Sequence, residues 1–124
     1  MLIFISVPNF LKSLKQLAEK YDILLIANEI QSGMERTGRM FASEHFDVIP
    51  DIITIAKGIA SGLSLGITVA NAKIMNWESG SHANTFGGNS ISCEVALVTQ
   101  VSHPYMRSKH YQVYASSNNY KRRG

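Results

Sequence analysis

The sequence predicts an α/β fold. Three short apolar runs, at residues 23–27, 52–56 and 66–70, have the length and content of buried strands, and amphipathic or polar segments separate them. The chain has 124 residues, of which 45% are hydrophobic and 17% are charged, and its mean hydropathy is near zero. That composition is typical of one globular domain with a buried core, and it excludes disordered, fibrous and disulfide-rich proteins.

The first part of the chain predicts a strand, a helix and a second strand. Met1–Ile5 is a short apolar run that we interpret as a strand, because no basic residue precedes it and no cleavage pattern follows it. Between Asn9 and Tyr21, apolar residues recur at steps of three and four after the start signal Pro8, which predicts an amphipathic helix. Ile23–Ala27 follows directly, and its unbroken apolar character favours a strand buried on both faces.

The remaining elements continue the alternation. A short helix is predicted around Phe41–Phe46, and a second buried strand at Ile52–Ala56. The third apolar run, Gly66–Ala70, follows a turn rich in Gly and Ser. A polar loop then leads to a last helix over Ser90–Gln100. Strands that alternate with helices are the reason for predicting an α/β arrangement.

The character of the chain changes near Gln100. Residues 1–100 hold seven Lys and Arg and nine Asp and Glu, whereas residues 101–124 hold five basic residues, no acidic ones and four of the five tyrosines. We therefore expect one folded domain over 1–100 and a poorly ordered basic tail over 101–124. The alternative is an arm that contacts nucleic acid through phosphates and stacked bases. It is less favoured, because the tyrosines keep no single spacing and match no RNA-binding signature.

Simple counts exclude several classes of function. Cys93 is the only cysteine, which rules out an internal disulfide and a four-thiolate metal site and suits a reducing cytoplasm. No apolar run approaches the roughly 18 residues of a membrane helix. The four histidines lack a metal-ligand spacing, so no metal is expected. Gly33–Met40 has the glycine spacing of a phosphate-binding loop but lacks its lysine and its Ser/Thr.

Polar side chains that follow the predicted strands indicate a ligand site. In open α/β sheets, ligands bind outside the carboxyl ends of the strands. Asn28–Gln31 follows the first buried run and Lys57 the second. A partly desolvated lysine has a lowered pKa and can attack an aldehyde or ketone as an amine, although a solvated lysine is the commoner case on spacing alone. Thr85–Asn89, before the last helix, is either a phosphate-binding turn or a flexible loop.

Several segments together resemble the signature of the class III pyridoxal-phosphate aminotransferases, a family that includes the ornithine, acetylornithine and 4-aminobutyrate aminotransferases. The motifs occur in order and at compatible spacing between about Val7 and Val98. The resemblance implies a fragment of the large cofactor-binding domain of a fold type I enzyme, with a mostly parallel sheet and flanking helices. The matching segments are Ile23–Gly33, Arg36–Gly38, Phe41–His45, Pro50–Gly58, Leu65–Gly66 and Thr85–Asn89.

The resemblance also implies roles for individual residues. Lys57 would be the Schiff-base lysine, Gln31 would contact the phenolic oxygen of pyridoxal 5'-phosphate, and Ile30 would pack on one face of its ring. Thr85 would reach the phosphate of the cofactor held by a neighbouring subunit, which implies a homodimer. The substrates would be an amino acid or ω-amine as donor and a 2-oxo acid as acceptor.

Asn28 departs from the family pattern, which has Asp at this position. The family's carboxylate keeps the pyridine nitrogen protonated, whereas an amide can only hydrogen-bond a neutral nitrogen. We also expect this chain to lack the family's substrate-carboxylate arginine and its phosphate-binding glycine/serine turn. The loss of helical periodicity after Gln100 is what a frameshift or a truncation would produce. The sequence thus predicts a partial class III aminotransferase with impaired catalysis, and the alternative is an inactive remnant that binds cofactor or a partner.

Overall fold

The part of the chain that the structure describes forms four strands, two α-helices and two 3₁₀-helices. The computed structural model describes residues 7–78, 81, 87–101 and 114–115. The elements in chain order are α1 (Phe10–Lys20), β1 (Ile26–Asn28), a 3₁₀-helix (Ala42–Phe46), β2 (Ile52–Ile55), a second 3₁₀-helix (Lys57–Ala60), β3 (Ile67–Ala70), α2 (Ser90–Val101) and β4 (Tyr114–Ala115).

The strands form one sheet in the order β1-β2-β3-β4. Strands β1 and β2 are parallel, whereas β3 is antiparallel to both β2 and β4. The α/β class is confirmed, but the described sheet is mixed and not mostly parallel. The physical reason is the connection from β2 to β3, because it contains only the 3₁₀-helix Lys57–Ala60. A parallel return needs a crossover of a dozen or more residues, usually an α-helix.

The strand predicted at Ile23–Ala27 is shorter and more exposed in the structure than the sequence predicts. It begins at Ile26 instead of Ile23, and the side chains of Ile23, Leu24 and Ile26 are 61%, 51% and 58% exposed. This occurs because β1 is the edge strand, and in the described part of the chain Ala27 is its only residue that packs against the core cluster. In β2, Ile53 and Ile55 are buried and the alternate residues are half-buried, so this strand too has one face more covered than the other.

The other predicted elements agree with the structure within a residue or two. The helices α1 and α2, the short helix Ala42–Phe46 and the strand β3 are all present. Met1–Ile5 lies outside the described residues, as does the segment after Val101 apart from β4. Neither the predicted N-terminal strand nor the predicted poor order of the tail is therefore tested.

The hydrophobic core lies on one side of the sheet, between β2, β3, the second 3₁₀-helix and α2. Ile59 and Ala60 are completely buried, and Ala96 of α2 packs in the same cluster. Burying one large aliphatic side chain contributes about 1.5–3 kcal/mol, so the turn after β2 is one of the better-anchored parts of the chain. The cluster consists of Met40, Phe41, Ile53, Ile55, Ile59, Ala60, Ile67, Val69 and Ala96.

Helix α1 is attached to the sheet by an ion pair. The Lys15 Nζ lies 2.9 Å from the Asp51 carboxylate, which precedes β2. The same carboxylate accepts a 2.8 Å hydrogen bond from the Leu25 backbone N–H, just before β1. Asp51 therefore joins α1 and the amino ends of both parallel strands.

Within the described ranges, no helix combines the length and the apolar character needed to cross a membrane.

Candidate functional site

The parallel pairing of β1 and β2 sets the position of the candidate site. Asn28, the last residue of β1, is paired with Thr54, and Lys57 follows shortly after the end of β2. Because the strands run in the same direction, both chains leave the sheet at the same edge. Asn28 and Lys57, which are 29 positions apart in the sequence, therefore both lie at the carboxyl ends of neighbouring parallel strands.

Lys57 occupies an unusual backbone conformation. Ala56 is fully extended, and Lys57 then adopts a φ of 53°, in the left-handed region. For a residue other than glycine this region costs about 1–2 kcal/mol. The adjoining Ile59 and Ala60 are completely buried, whereas the Lys57 side chain is exposed. The buried residues thus hold a strained turn that directs the lysine outward, and of the two alternatives for Lys57 the structure favours the solvated one.

Helix α2 supports the same turn from behind. Ala96 packs in the cluster with Ile59 and Ala60, and the hydroxyls of Ser61 and Thr99 lie 3.5 Å apart. The helix begins where the sequence predicts, because the Asn89 Oδ1 accepts hydrogen bonds from the backbone N–H groups of residues 91 and 92 at 3.0 and 3.3 Å. The Lys57 turn is therefore fixed by core packing on one side and remains open to solvent on the other.

Asn28 is exposed, and its side chain folds back on the chain. The Asn28 Oδ1 accepts a 3.2 Å hydrogen bond from the backbone N–H of Ile30. The Nδ2 group has no hydrogen-bond partner among the described residues. The amide is thus partly used in a local turn, and its donor end faces outward with nothing from the described chain bound to it.

Ile30 and Gln31 lie in the turn that follows β1, with Ile30 half-buried and Gln31 exposed. The turn closes through a 3.0 Å hydrogen bond from the Gly33 N–H to the Glu29 carbonyl. A Cβ at position 33 would lie only 2.7 Å from that carbonyl oxygen, so the close approach requires glycine. The turn presents Asn28, Ile30 and Gln31 together at the sheet edge.

Glu29 is the residue that the sequence reasoning missed. Its side chain is only 3% exposed. One carboxylate oxygen accepts a 2.9 Å hydrogen bond from the Ser43 N–H, and the other accepts a short one from the Ser32 hydroxyl. The signal available in the sequence was a carboxylate directly after a buried run and three positions before a serine.

The loop between this turn and the 3₁₀-helix Ala42–Phe46 lies against the Lys57 turn. Met34 and Glu35 both have positive φ, of 56° and 64°. The loop is tied at its far end by His45, whose Nε2 lies 2.9 Å from the Thr37 carbonyl oxygen. An ideal Cβ on Gly58 would lie 3.1 Å from the Cβ of Met34, so the loop contacts the chain immediately after the lysine.

Thr85 lies outside the described residues, so the structure neither supports nor contradicts its predicted contact with a phosphate. In the part of the chain that is described, no group of three His, Cys, Asp or Glu side chains is arranged to hold a metal ion. Of the predicted site residues, the structure describes Asn28, Ile30, Gln31 and Lys57.

In open α/β sheets, ligands bind outside the carboxyl ends of the strands, which is where Asn28 and Lys57 lie. Residues 3–101 match the family model described as aminotransferase class-III. The chain belongs to the class III aminotransferase family.

Individual relatives agree with this assignment. An acetylornithine aminotransferase from Methanopyrus kandleri is 47% identical over 86 residues, which are 68% of this chain and 22% of that protein. The structure of acetylornithine aminotransferase from Elizabethkingia anophelis matches with a TM-score of 0.72 at 38% identity, over 77% of this chain and 26% of that one. An ornithine aminotransferase from Toxoplasma gondii ME49 gives a TM-score of 0.72 at 36% identity, over 77% and 23% of the two chains. This chain thus spans about a quarter of the length of these relatives.

Proposed function

We propose that the sheet edge carrying Asn28 and Lys57 is part of the pyridoxal-phosphate site of an aminotransferase. The reaction would move an amino group from an amino acid or ω-amine to a 2-oxo acid. The observation that carries the proposal is the parallel pairing of Asn28 with Thr54, because it places Lys57 at the same sheet edge as Asn28, the last residue of β1. The similarity to acetylornithine and ornithine aminotransferases supports the class of reaction.

The side chains at this edge fit the cofactor, with one change from the family pattern. Lys57 is exposed, so its amine is accessible to an aldehyde. The Asn28 Oδ1 is already bonded to Ile30, which leaves the Nδ2 as the group that faces a ligand. An N–H donor matches an unprotonated pyridine nitrogen, which is an acceptor, and does not match a protonated one. The residues therefore suit a cofactor whose ring nitrogen is neutral.

When bound, pyridoxal phosphate supplies an aldehyde that condenses with amines and a ring that accepts the electron pair of a deprotonated carbon. In this chain, the Lys57 Nζ would hold the aldehyde carbon and, when not bonded, would take up and return a proton. The Gln31 amide would donate to the phenolic oxygen, and Ile30 would pack against the ring. Thr85 would donate to the phosphate held by a second subunit, so we propose a homodimer with shared sites, in the reducing cytoplasm that a single cysteine suits.

A second candidate function is cofactor binding without turnover. Asn28 favours it, because an amide cannot hold a proton on the ring nitrogen as a carboxylate does. A weaker electron sink at this point costs several kcal/mol in the transition state, which corresponds to several powers of ten in rate. The two candidates share the same binding site and differ only in catalysis.

The binding proposal is tested by titrating the purified chain with pyridoxal phosphate and then reducing with borohydride. Absorption would report the bond to lysine, and peptide mapping would locate the label. We expect the label on the peptide that contains Lys57 and none in Lys57→Arg, while Lys73→Arg, at an exposed turn elsewhere, labels as the unmodified chain does. Label spread evenly over the lysines would contradict a preformed site.

The two candidates are separated by an assay of the same preparation for transfer of an amino group from ornithine or acetylornithine to 2-oxoglutarate. Turnover above the rate of free pyridoxal phosphate supports the aminotransferase. Stoichiometric binding with turnover at the background rate supports the binding function alone.

A further inference from the structure

Glu29 has no part in the mechanism above, although it stands between two of the residues that the proposed function uses. It directly follows Asn28 at the end of β1 and precedes Ile30 and Gln31. Its side chain is nearly completely buried, while those of Asn28 and Gln31 are exposed. A buried carboxylate is costly unless hydrogen bonds compensate for its lost hydration.

Every polar group of Glu29 is hydrogen-bonded, and together these bonds reach three parts of the chain. The backbone N–H donates to the Thr54 carbonyl of β2 at 2.9 Å, and the backbone carbonyl accepts from Gly33 at 3.0 Å. The side chain accepts from the Ser43 N–H at 2.9 Å and from the Ser32 hydroxyl. One residue therefore links β2, the turn after β1 and the 3₁₀-helix Ala42–Phe46.

These bonds act on the geometry of the candidate site. The link to Thr54 attaches the end of β1 to the strand that leads to Lys57, and the links to Ser32 and Gly33 fix the turn that carries Ile30 and Gln31. In the described part of the chain no cation forms an ion pair with Glu29, so the charge is compensated by these neutral donors. Hydrogen bonds to a charged acceptor are stronger than those to a neutral one.

We propose that Glu29 is a positioning residue for the cofactor site: its buried carboxylate holds the turn in the conformation that presents Asn28 and Gln31 beside Lys57. This inference rests on the proposed function. Loss of the charge would let the turn sample other conformations, and the apparent affinity for the cofactor would fall in proportion to the fraction of competent chains. A turn that is competent for about one tenth of the time would bind about tenfold more weakly.

Glu29→Gln tests the inference, and the chain offers a matched control. Asp51 is also a carboxylate that accepts a backbone N–H, from Leu25 at 2.8 Å, but it lies at the opposite end of the same two strands. Asp51→Asn therefore makes the same chemical change away from the site. We expect Glu29→Gln to weaken binding of pyridoxal phosphate about tenfold, and Asp51→Asn to change it less than about twofold.

Hydrogen exchange without cofactor provides a second readout. Glu29→Gln should accelerate exchange of the Ser43 amide and leave that of Leu25 unchanged, and Asp51→Asn should do the reverse. Ser32→Ala is a milder variant that removes one donor from Glu29 and keeps the carboxylate. It should weaken cofactor binding in the same direction, and its effect should not add to that of Glu29→Gln, because both act on one hydrogen-bonded unit.

The outcomes separate the two levels of the proposal. Unchanged affinity in Glu29→Gln, or a loss in Asp51→Asn of equal size at equal loss of thermal stability, would overturn the positioning role and leave the proposed function intact. Failure of the unmodified chain to bind pyridoxal phosphate would overturn both. A loss confined to Glu29→Gln and Ser32→Ala, with faster exchange of the Ser43 amide, supports the inference.

Discussion

Met34 and Gly58 are in such close contact that a side-chain carbon on Gly58 would lie 3.1 Å from the Cβ of Met34. The contact joins the loop after Gly33 to the turn that begins with Lys57. The spacing of apolar residues gives no sign of it, because it depends on the path of two irregular segments.

Gly58→Ala should therefore crowd the Met34 loop. We expect a loss of about 1 kcal/mol in the free energy of unfolding, measured by urea denaturation, because the atom met is the Met34 Cβ, which is fixed to the backbone and cannot rotate away, and this cost exceeds the smaller gain from stiffening the unfolded chain. Gly66→Ala is the control, because an added Cβ at Gly66 meets nothing within 4 Å. Adding Met34→Gly to Gly58→Ala should restore part of the lost stability. A Gly58→Ala variant with the same free energy of unfolding as the unmodified chain would contradict the close packing.

Glu35 is strained by its backbone conformation, with φ at 64°. Glycine adopts this region without a steric penalty, so the free energy of unfolding of Glu35→Gly should exceed that of Glu35→Ala by about 0.5–1 kcal/mol, since both variants lack the contacts of the Glu35 side chain. The matched control is position 19 in α1, where Glu19→Gly should instead be less stable than Glu19→Ala by about 1 kcal/mol. A Glu35→Gly variant less stable than Glu35→Ala would show that the backbone at position 35 is not strained.

Asn28→Asp should strengthen the binding of pyridoxal phosphate. A carboxylate opposite a protonated ring nitrogen contributes roughly 1.5–3 kcal/mol, and titration of both variants would measure the gain. Asn71→Asp is the control, because Asn71 makes the same local turn, with its Oδ1 3.0 Å from the Lys73 N–H. Equal affinities of Asn28→Asp and the unmodified chain would mean that Asn28 serves only its turn with Ile30.

Asp51 makes stability depend on pH. Its partial burial opposes ionisation, but the hydrogen bonds from Lys15 and from the Leu25 N–H and the charge of Lys15 outweigh it and lower the pKa of Asp51. A pKa that is lower in the folded state gives stability that is present above the unfolded value of about 4 and is lost as the pH falls through the folded value. Urea denaturation should show a clear deficit for Asp51→Asn at pH 7 that shrinks below about pH 4.

The exposed apolar residues beside β1 should make the 124-residue chain self-associate. Ile23, Leu24 and Ile26 are all more than half exposed next to an edge strand, which is a ready surface for pairing with a second copy. Ile26→Lys should shift the elution volume in size-exclusion chromatography towards that of a monomer, whereas Gln16→Lys on exposed α1 should not. A monomeric, cooperatively unfolding parent chain would contradict this prediction.

The positions of the elements could be predicted from the sequence because apolar runs and helical spacing are local signals. The burial of β1 could not, since it depends on what lies next to the edge strand. The direction of β3 was not predicted, because the apolar run Gly66–Ala70 is the same in a parallel and an antiparallel strand. The length of the connection from β2 carries that information.

The candidate site, too, could be predicted from the sequence only in part. Lys57 and Asn28 could be found because each follows an apolar run, and the parallel pairing accounts for their approach. The hydrogen bonds by which Glu29 links separate segments could not be predicted. Its partner Ser43 is 14 positions away and contributes only a backbone N–H, which nearly all residues have. The left-handed backbone conformation of Lys57 could not be predicted either, because the residue type does not indicate it.

The bonds at the two ends of the strand pair determine how β1 aligns with β2. Residues 23–26 and 52–55 are almost uniformly apolar, so sliding one strand by two positions would exchange one aliphatic side chain for another at little cost. Such a slip would separate Asp51 from the Leu25 N–H at one end and Glu29 from Thr54 at the other. The polar residues at the strand ends thus protect this chain against a misaligned fold that its hydrophobic sequence alone would tolerate.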